Sequence, residues 1–218
     1  MDFTSSYEDV IPPDVLPDYE WRETRNAAKI LAYTNEVEFE EITQVLREFR
    51  VCETDITDEG GNESAVPRRL NRAFRELGWR EGRHDTKLVS SLKIMPYRAA
   101  GEKKAIVTET EIVSEGYKVD NVKGRVALDV EWHAKDGNLD RDVGAYRALY
   151  DLGVIDVGVI ITRSHDEIRA LSIRLGRVDG FKTTTTTSLG KLEPRMTRGD
   201  SGGCPLLAVA ITDRCFRS

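Results

Sequence analysis

The chain has 218 residues, of which 39% are hydrophobic and 32% are charged, so it suits one domain with a full core. No apolar run approaches the ~18–20 residues of a membrane span, and the acidic, proline-containing N-terminus does not have the pattern of a signal peptide. The three cysteines, Cys52, Cys204 and Cys215, are odd in number and lack the spacing of a metal site. We therefore expect a cytoplasmic protein with reduced thiols and no membrane partner.

The net charge of −6 is unevenly distributed along the chain. Residues 1–66 hold 17 acidic and 5 basic residues, a net charge of −12, whereas residues 169–218 hold 4 acidic and 9 basic residues, a net charge of +5. The C-terminal quarter is thus the candidate surface for contacts with nucleic-acid phosphates.

In the first third of the chain, proline and acidic residues predict an extended or poorly ordered arm over residues 1–19. A short helix is predicted over 20–32 and an amphipathic helix over 37–49. Residues 52–64 read as an acidic loop, for which solvation is favoured over calcium binding because the ligand spacing fits no standard loop.

Ser64 is the predicted N-cap of the next helix, which ends at Gly78. The polar and basic residues 84–104 either touch DNA or form a solvated connection, and the connection is slightly favoured. A strand is predicted over 105–113, and residues 117–120 lead into a turn.

The second half of the chain alternates between helical and strand patterns. The predicted elements are a helix over 138–152, a buried strand over 154–162, a helix that begins with a capping box at Ser164 and ends at Gly176, a long Gly/Thr/Arg-rich connection over 177–204, and a buried strand over 205–212. This order predicts an α/β domain in which helices flank a central mixed β-sheet.

The most informative stretch is a strand with acidic residues on one face. Val126, Leu128 and Val130 alternate with Ala127, Asp129 and Glu131, which places the two acids on the same side, roughly 6–7 Å apart. Asp120 lies nine residues before Asp129, and Gly124 between them is a natural turning point. Carboxylates in this arrangement suit a hard cation such as Mg²⁺, although acids on a strand can also form a solvated face of an antiparallel sheet.

The region around this strand resembles the BglII/BstYI group of type II restriction endonucleases, which belong to the PD-(D/E)xK nuclease superfamily. The resemblance covers roughly residues 65–212. Its densest segments are 122–132, 135–136 with 140–142, and 154–159; weaker similarity covers 70–74, 77–79 and 203–207. It implies a restriction-endonuclease-like core that cleaves DNA, in a bacterium or archaeon.

The resemblance also implies roles for individual residues. Asp120 and Asp129 should ligate Mg²⁺. Glu131 stands where the superfamily usually has Lys but this group has Gln or Glu, so it is a general base, a water-orienting group or a ligand through water. Glu81 lies near the position at which some members of the group have a side chain that helps to arrange the attacking water. Clustered carboxylates repel one another, so at least one pKa should be raised without metal.

Basic and polar residues beyond the acidic strand are candidates for DNA contacts. Lys135, Asn138 and Arg141 could lie near a groove, with salt bridges among Asp136, Asp140, Arg141 and Asp142 as the alternative. Within the predicted recognition loop over 177–204, hydroxyl and guanidinium groups suit phosphates and base edges. The candidates there are Lys182, Thr184, Ser188, Lys191, Arg195 and Arg198.

Together these features predict a Mg²⁺-dependent nuclease that cleaves both strands of a short palindromic site in double-stranded DNA, with a GATC-centred site expected from the resemblance. Cutting both strands of a palindrome implies a two-fold homodimer. The alternatives are a repair or modified-DNA nuclease with the same core, and a non-catalytic DNA-binding module. Residues 1–64 are expected to pack on a catalytic core formed by 65–218, as one structural domain.

Overall fold

The computed structural model describes residues 1–57 and 65–217. The strands are β1 (Tyr19–Thr24), β2 (Arg80–Arg83), β3 (Thr86–Ile94), β4 (Ile106–Ser114), β5 (Lys118–Lys123), β6 (Val126–Val130), β7 (Val157–Arg163) and β8 (Leu206–Ile211). The helices are α1 (Tyr7–Val10), α2 (Ala27–Thr34), α3 (Glu36–Glu48), α4 (Glu53–Thr57), α5 (Ala65–Glu76), α6 (Gly137–Asp151), α7 (His165–Arg174) and α8 (Leu189–Arg198). The chain divides into two compact units, one formed by residues 1–82 and 118–218 and the other by residues 83–117.

The larger unit is built on a six-stranded mixed sheet with the strand order β1-β8-β7-β6-β5-β2. The central strands β6, β7 and β8 are parallel and completely buried, whereas β1 and β5 pair antiparallel with their neighbours. Val126, Leu128 and Val130 belong to one hydrophobic cluster, and Ala127 belongs to another that includes the buried side of α6. Because helices cover both faces, the predicted α/β fold with a mixed central sheet is confirmed.

The N-terminal prediction for residues 1–19 was wrong, and the helix predicted over 20–32 is confirmed only for residues 27–32. The predicted arm contains α1 and is held by Glu23, whose buried carboxylate accepts hydrogen bonds from the backbone and hydroxyl of Ser6 and from Ala28 N. The first part of the predicted short helix is the strand β1 and its last part belongs to α2, and the two are separated by Arg25 and Asn26 in the left-handed region. Alternating burial along β1, which forms the edge of the sheet, outweighs the local helix propensity of this segment.

The segment 177–204 is also more structured than predicted, because α8 occupies its second half. Leu189, Leu192 and Met196 are buried at helical spacing, and Gly199 ends the helix in the left-handed conformation. Pro194 inside the helix removes one backbone donor and hides the pattern in the sequence. Burial of the apolar side therefore decides the structure here.

Two smaller predictions need correction or fall outside the described residues. The part of the acidic loop that the structure describes contains α4, and the remainder of the loop, with Ser64, lies outside the described residues. Ser164 is the N-cap of α7, but its side chain makes no capping hydrogen bond, and Glu167 instead pairs with Arg214. The helices predicted over 37–49 and 138–152 correspond to α3 and α6.

The smaller unit is a two-stranded antiparallel hairpin formed by β3 and β4. The strand predicted over 105–113 is confirmed as β4, whereas the connection predicted over 84–104 contains β3. Lys87 forms an ion pair with Glu111 across the two strands. Among residues 1–57 and 65–217, no helix is long and apolar enough to cross a membrane.

Candidate active site

The acidic residues meet beside β5 and β6, at the end of this strand pair that lies away from its connecting turn. Gly124 makes this turn with a positive φ of 51°, and the antiparallel register places Asp120 opposite Asp129. The backbone N–H of Asp120 donates to Asp129 Oδ1 at 2.8 Å. The predicted turn and the predicted common location of these two acids are therefore confirmed.

Asp129 is 3% exposed, and its side chain is held at both oxygens. Besides the bond at Oδ1, the Tyr146 hydroxyl lies 2.7 Å from Asp129 Oδ2 and 2.8 Å from the carbonyl oxygen of Val159. Tyr146 comes from α6, which packs against the same face of the sheet. The sequence analysis did not identify this tyrosine as part of the site.

A fourth carboxylate, Asp142, also lies in the site. Asp142 is 1% exposed and lies against Glu131, which is 6% exposed. Asp142 Oδ1 accepts from Arg141 at 3.1 and 3.2 Å, whereas Asp142 Oδ2 and Glu131 Oε2 are buried without a hydrogen-bond donor. Two anionic carboxylates repel each other, so this contact requires either a shared proton or a cation.

The sequence does contain a signal for Asp142. It lies on the stripe of α6 formed by Leu139, Val143 and Tyr146, which are otherwise apolar or aromatic side chains facing the core. A charged residue on the buried stripe of an amphipathic helix needs a partner inside the protein. The sequence analysis placed Asp142 only in a surface salt-bridge cluster, and the structure moves it into the acidic site.

Burial and mutual repulsion raise the pKa values of the cluster, as predicted. Desolvation, followed by the neighbouring carboxylates, raises the pKa of Asp129 and that of Asp142 well above their usual range. Desolvation raises the pKa of Glu131 to about 7, against an opposing contribution from its contact with Asp142. The pKa of Asp120 is also raised, chiefly by desolvation. Without a cation, the cluster therefore retains protons near neutral pH.

Glu81 is located at the margin of this cluster. It lies on β2 and forms an ion pair with Lys118 at 3.0 Å, with both side chains more than half exposed. Its negative charge contributes to the raised pKa of Asp120, which places it close enough to influence the site. The role predicted for Glu81 in arranging water stays a prediction.

The donor set suits a hard divalent cation, because it consists of carboxylate oxygens and two of these oxygens are buried without a donor. Within the described ranges, no group of three or more His, Cys, Asp or Glu side chains is positioned to hold a metal ion. The carboxylates fit a cation by their chemistry alone, and water and phosphate oxygens would have to complete its coordination, as is usual for Mg²⁺.

A family model for the restriction endonuclease BglII/BglIII matches residues 19–211, which include β1, β8 and the entire acidic cluster. The chain belongs to the BglII/BglIII restriction endonuclease family. No curated protein matches it significantly.

Family membership makes the chain a type II restriction endonuclease, a site-specific hydrolase of double-stranded DNA. The acidic cluster lies within the matched region, and its carboxylates are of the kind that bind catalytic divalent cations. The BglII/BglIII family match thus confirms the recognition made from the sequence.

The candidate DNA contacts near the acidic cluster are located around the start of α6. Lys135 is exposed and forms an isolated β-bridge with Thr186, and Asn138 lies in the first turn of the helix. Arg141 is half-exposed and forms an ion pair with Asp142. This ion pair is one of the salt bridges that the alternative to DNA contact predicted. The role of Arg141 in DNA binding stays a prediction.

The remaining candidates differ in how accessible they are. Lys182 and Thr184 are exposed, Lys191 lies 4.0 Å from Asp136, and Arg198 pairs with Asp200 at the surface. The side chains of these four residues are accessible to a ligand that approaches from solvent.

Ser188 and Arg195 have structural contacts that compete with a role in DNA binding. Ser188 is 5% exposed and is the N-cap residue of α8. Arg195 makes two hydrogen bonds of 2.7 Å to Asp140 and one to the carbonyl of Lys191, and its side chain is 13% exposed. These contacts favour a role in fixing α8 to α6.

Proposed function

We propose that this restriction endonuclease hydrolyses both strands of a short palindromic DNA site, GATC-centred by family resemblance, with Mg²⁺ as its cofactor. The observation that supports the proposal is the group of four buried or half-buried carboxylates held by β5, the end of β6 and α6, two oxygens of which lack donors. Such a group is costly to bury unless a cation or protons neutralise it. We expect it to act in the cytoplasm.

Asp120 and Asp129 are the proposed ligands of the cation. They lie opposite each other on adjacent strands, and Asp129 is held rigidly from two sides. When bound, Mg²⁺ supplies Lewis acidity that activates water and stabilises negative charge on the scissile phosphate.

Glu131 is proposed to act on the attacking water. Glu131 lies two residues after Asp129 on the same face of the strand, and its buried Oε2 has no hydrogen-bond donor. Its pKa of about 7 suits the exchange of a proton at neutral pH. Asp142 would hold Glu131 in place through their carboxyl contact, while Arg141 offsets part of the negative charge. Glu81 is proposed to help to order water at the margin.

DNA is proposed to bind through the polar residues around α6 and the segment before α8. The exposed or partly exposed candidates are Lys135, Asn138, Arg141, Lys182, Thr184, Lys191 and Arg198, and we expect Ser188 and Arg195 to act through the placement of α8. Cationic side chains contact phosphates, and guanidinium groups can also read guanine.

We also propose that the active form is a homodimer, since two strands related by a two-fold axis need two active sites. The hairpin supplies a surface suited to a second copy. One face of its two strands contains no charged residue, and five aliphatic side chains on it are more than half exposed: Leu88, Leu92, Ile94, Ile106 and Ile112. Facing copies of this patch would bury roughly 1,000 Å² in total, which is about the lower limit for a specific interface.

The absence of charge on this face also argues for a protein partner over DNA, because phosphates require cationic contacts. A two-stranded hairpin is marginally stable alone, so covering the apolar face would also stabilise the hairpin itself. Under two-fold symmetry the same patch meets itself, which suits an uncharged, self-complementary surface.

Digestion of a sequenced, unmethylated plasmid with purified protein tests the proposed function. We expect discrete fragments with Mg²⁺ and none with EDTA, and mapping of the fragment ends should give one palindromic site cut on both strands. A smear, or cleavage only of modified or branched DNA, would favour the repair or modified-DNA alternative. Sequence-specific binding without cleavage under any divalent cation would contradict the proposed activity and favour a binding module.

A further inference from the structure

The polar hydroxyl of Tyr146 lies inside the hydrophobic cluster beneath the proposed active site. Tyr146 is fully buried with Leu139, Val143 and Ile160. Its single proton has two acceptors within reach, Asp129 Oδ2 at 2.7 Å and Val159 O at 2.8 Å. An ionised carboxylate is the stronger acceptor, so the proton is directed to Asp129 whenever Asp129 is charged.

Gly158 makes this position of the tyrosine possible. Gly158 lies in the interior of the central strand β7, where a glycine weakens the strand because it contributes no side chain to packing. A Cβ atom at this position would lie 2.3 Å from Cδ2 and 2.8 Å from Cε2 of the Tyr146 ring. The absence of a side chain at residue 158 thus provides the space that the ring occupies.

The bond from Tyr146 completes the restraint on Asp129. The backbone N–H of Asp120 holds Oδ1, and the tyrosine holds Oδ2, so the carboxylate cannot rotate without losing one of these bonds. Rotation would otherwise be favoured by repulsion from the carboxylates of Asp120 and Asp142. A hydrogen bond from outside the metal site that fixes a carboxylate ligand commonly raises the affinity of that ligand for metal.

We propose that Tyr146 is a positioning residue, seated against Gly158, that fixes the Asp129 carboxylate for binding of a divalent cation. The inference rests on the proposed role of Asp129 as a metal ligand. Tyr146 itself touches neither the substrate nor the reacting atoms.

Calorimetric titration with Mn²⁺ in the absence of DNA tests the role directly, on wild type, Tyr146→Phe and Tyr150→Phe. Tyr146→Phe removes only the hydroxyl and keeps the ring, so the packing against Gly158 is preserved. Tyr150 is the matched control, since it lies on the same helix and, within the described part of the chain, its hydroxyl has no hydrogen-bond partner. Gly158→Ala is the second variant, because it displaces the ring without removing the hydroxyl.

We expect Tyr146→Phe and Gly158→Ala to weaken Mn²⁺ binding by about 10- to 100-fold while Tyr150→Phe binds like wild type. In cleavage assays, the Mg²⁺ concentration for half-maximal rate should rise for Tyr146→Phe, and the rate at saturating Mg²⁺ should stay close to wild type. A Tyr146→Phe protein that remains folded and binds Mn²⁺ within twofold of wild type would overturn the positioning role alone. A wild-type protein that binds no divalent cation would overturn the positioning role together with the proposed metal site.

Discussion

At the scale of single residues, two opposing factors determine the candidate active site: its carboxylates are buried, and they carry negative charge when ionised. Asp129, Glu131 and Asp142 lie within the protein, whereas Arg141, which pairs directly with Asp142 and acts on the other two through its charge, is half-exposed. Removing such carboxylates from water favours their protonated forms. The carboxylates of the site therefore repel one another when ionised, and a bound divalent cation would reduce this repulsion.

This repulsion predicts how the stability of the metal-free protein depends on pH. Because the folded-state pKa values are raised, the folded state binds more protons than the unfolded state from about pH 4 up to at least pH 7. The free energy of unfolding in EDTA should therefore fall as the pH rises across this window, and Asp142→Asn should reduce the slope. Denaturant titrations at a series of pH values measure both, and a wild-type stability that rises from pH 5.5 to 7.5 would contradict the account.

Substitution of Glu131 distinguishes its possible roles. An amide at this position can orient water but cannot take up a proton. We expect Glu131→Gln to slow cleavage by about 10²- to 10⁴-fold, as for the loss of a general base. Single-turnover rates at saturating Mg²⁺ measure this, and a loss smaller than about tenfold would instead limit Glu131 to orienting the water.

At the scale of secondary-structure elements, the sequence predicted the parts of the fold whose apolar pattern is regular. The acidic strand, the turn at Gly124 and the helix α6 follow from local periodicity and turn chemistry. The edge strand β1 and the helix α8 do not, because their structures depend on burial against distant elements, and Pro194 masks the helical pattern of α8.

For the candidate site, too, the sequence predicted what depends on local pattern and missed what depends on packing between distant elements. Asp120, Asp129 and Glu131 are close in the sequence and share one strand pair, so their proximity follows from pairing and alternation. Asp142 and Tyr146 reach the same point only because α6 packs over that face of the sheet, which no local pattern specifies.

The contact between α6 and α8 yields a prediction about Arg195. If the Arg195–Asp140 pair fixes α8, Arg195→Ala and Asp140→Ala should each lower the free energy of unfolding, by about 1 kcal/mol after allowance for the partial exposure of Asp140. The double variant should lose less than the sum of the two. If Arg195 instead contacts DNA, Arg195→Ala should weaken DNA binding strongly and Asp140→Ala should not, which DNA-binding titrations would reveal.

At the scale of the whole molecule, the chain combines a catalytic sheet with a hairpin that carries much exposed apolar surface. The proposed homodimer accounts for that surface and for cleavage of both strands.

The hairpin prediction uses its two faces as experiment and control. Leu88→Thr with Ile112→Thr keeps strand-forming residues but makes the charge-free face polar, and should shift the protein from dimer to monomer in sedimentation velocity. Val89→Thr with Val113→Thr alters the opposite face and should leave the dimer intact. A dimer unaffected by the first pair, or a wild-type protein that is monomeric, would contradict the assignment.

The carboxylates held by β5, the end of β6 and α6 are proposed to perform metal-dependent cleavage of DNA. The most direct test compares wild type with Asp129→Asn for cleavage in Mg²⁺ and for binding to the mapped site in Ca²⁺. The account predicts that Asp129→Asn loses cleavage by at least about 10³-fold, equivalent to about 4 kcal/mol in the barrier, while specific binding is retained. Cleavage by Asp129→Asn at a rate near that of wild type would place the active site elsewhere in the molecule.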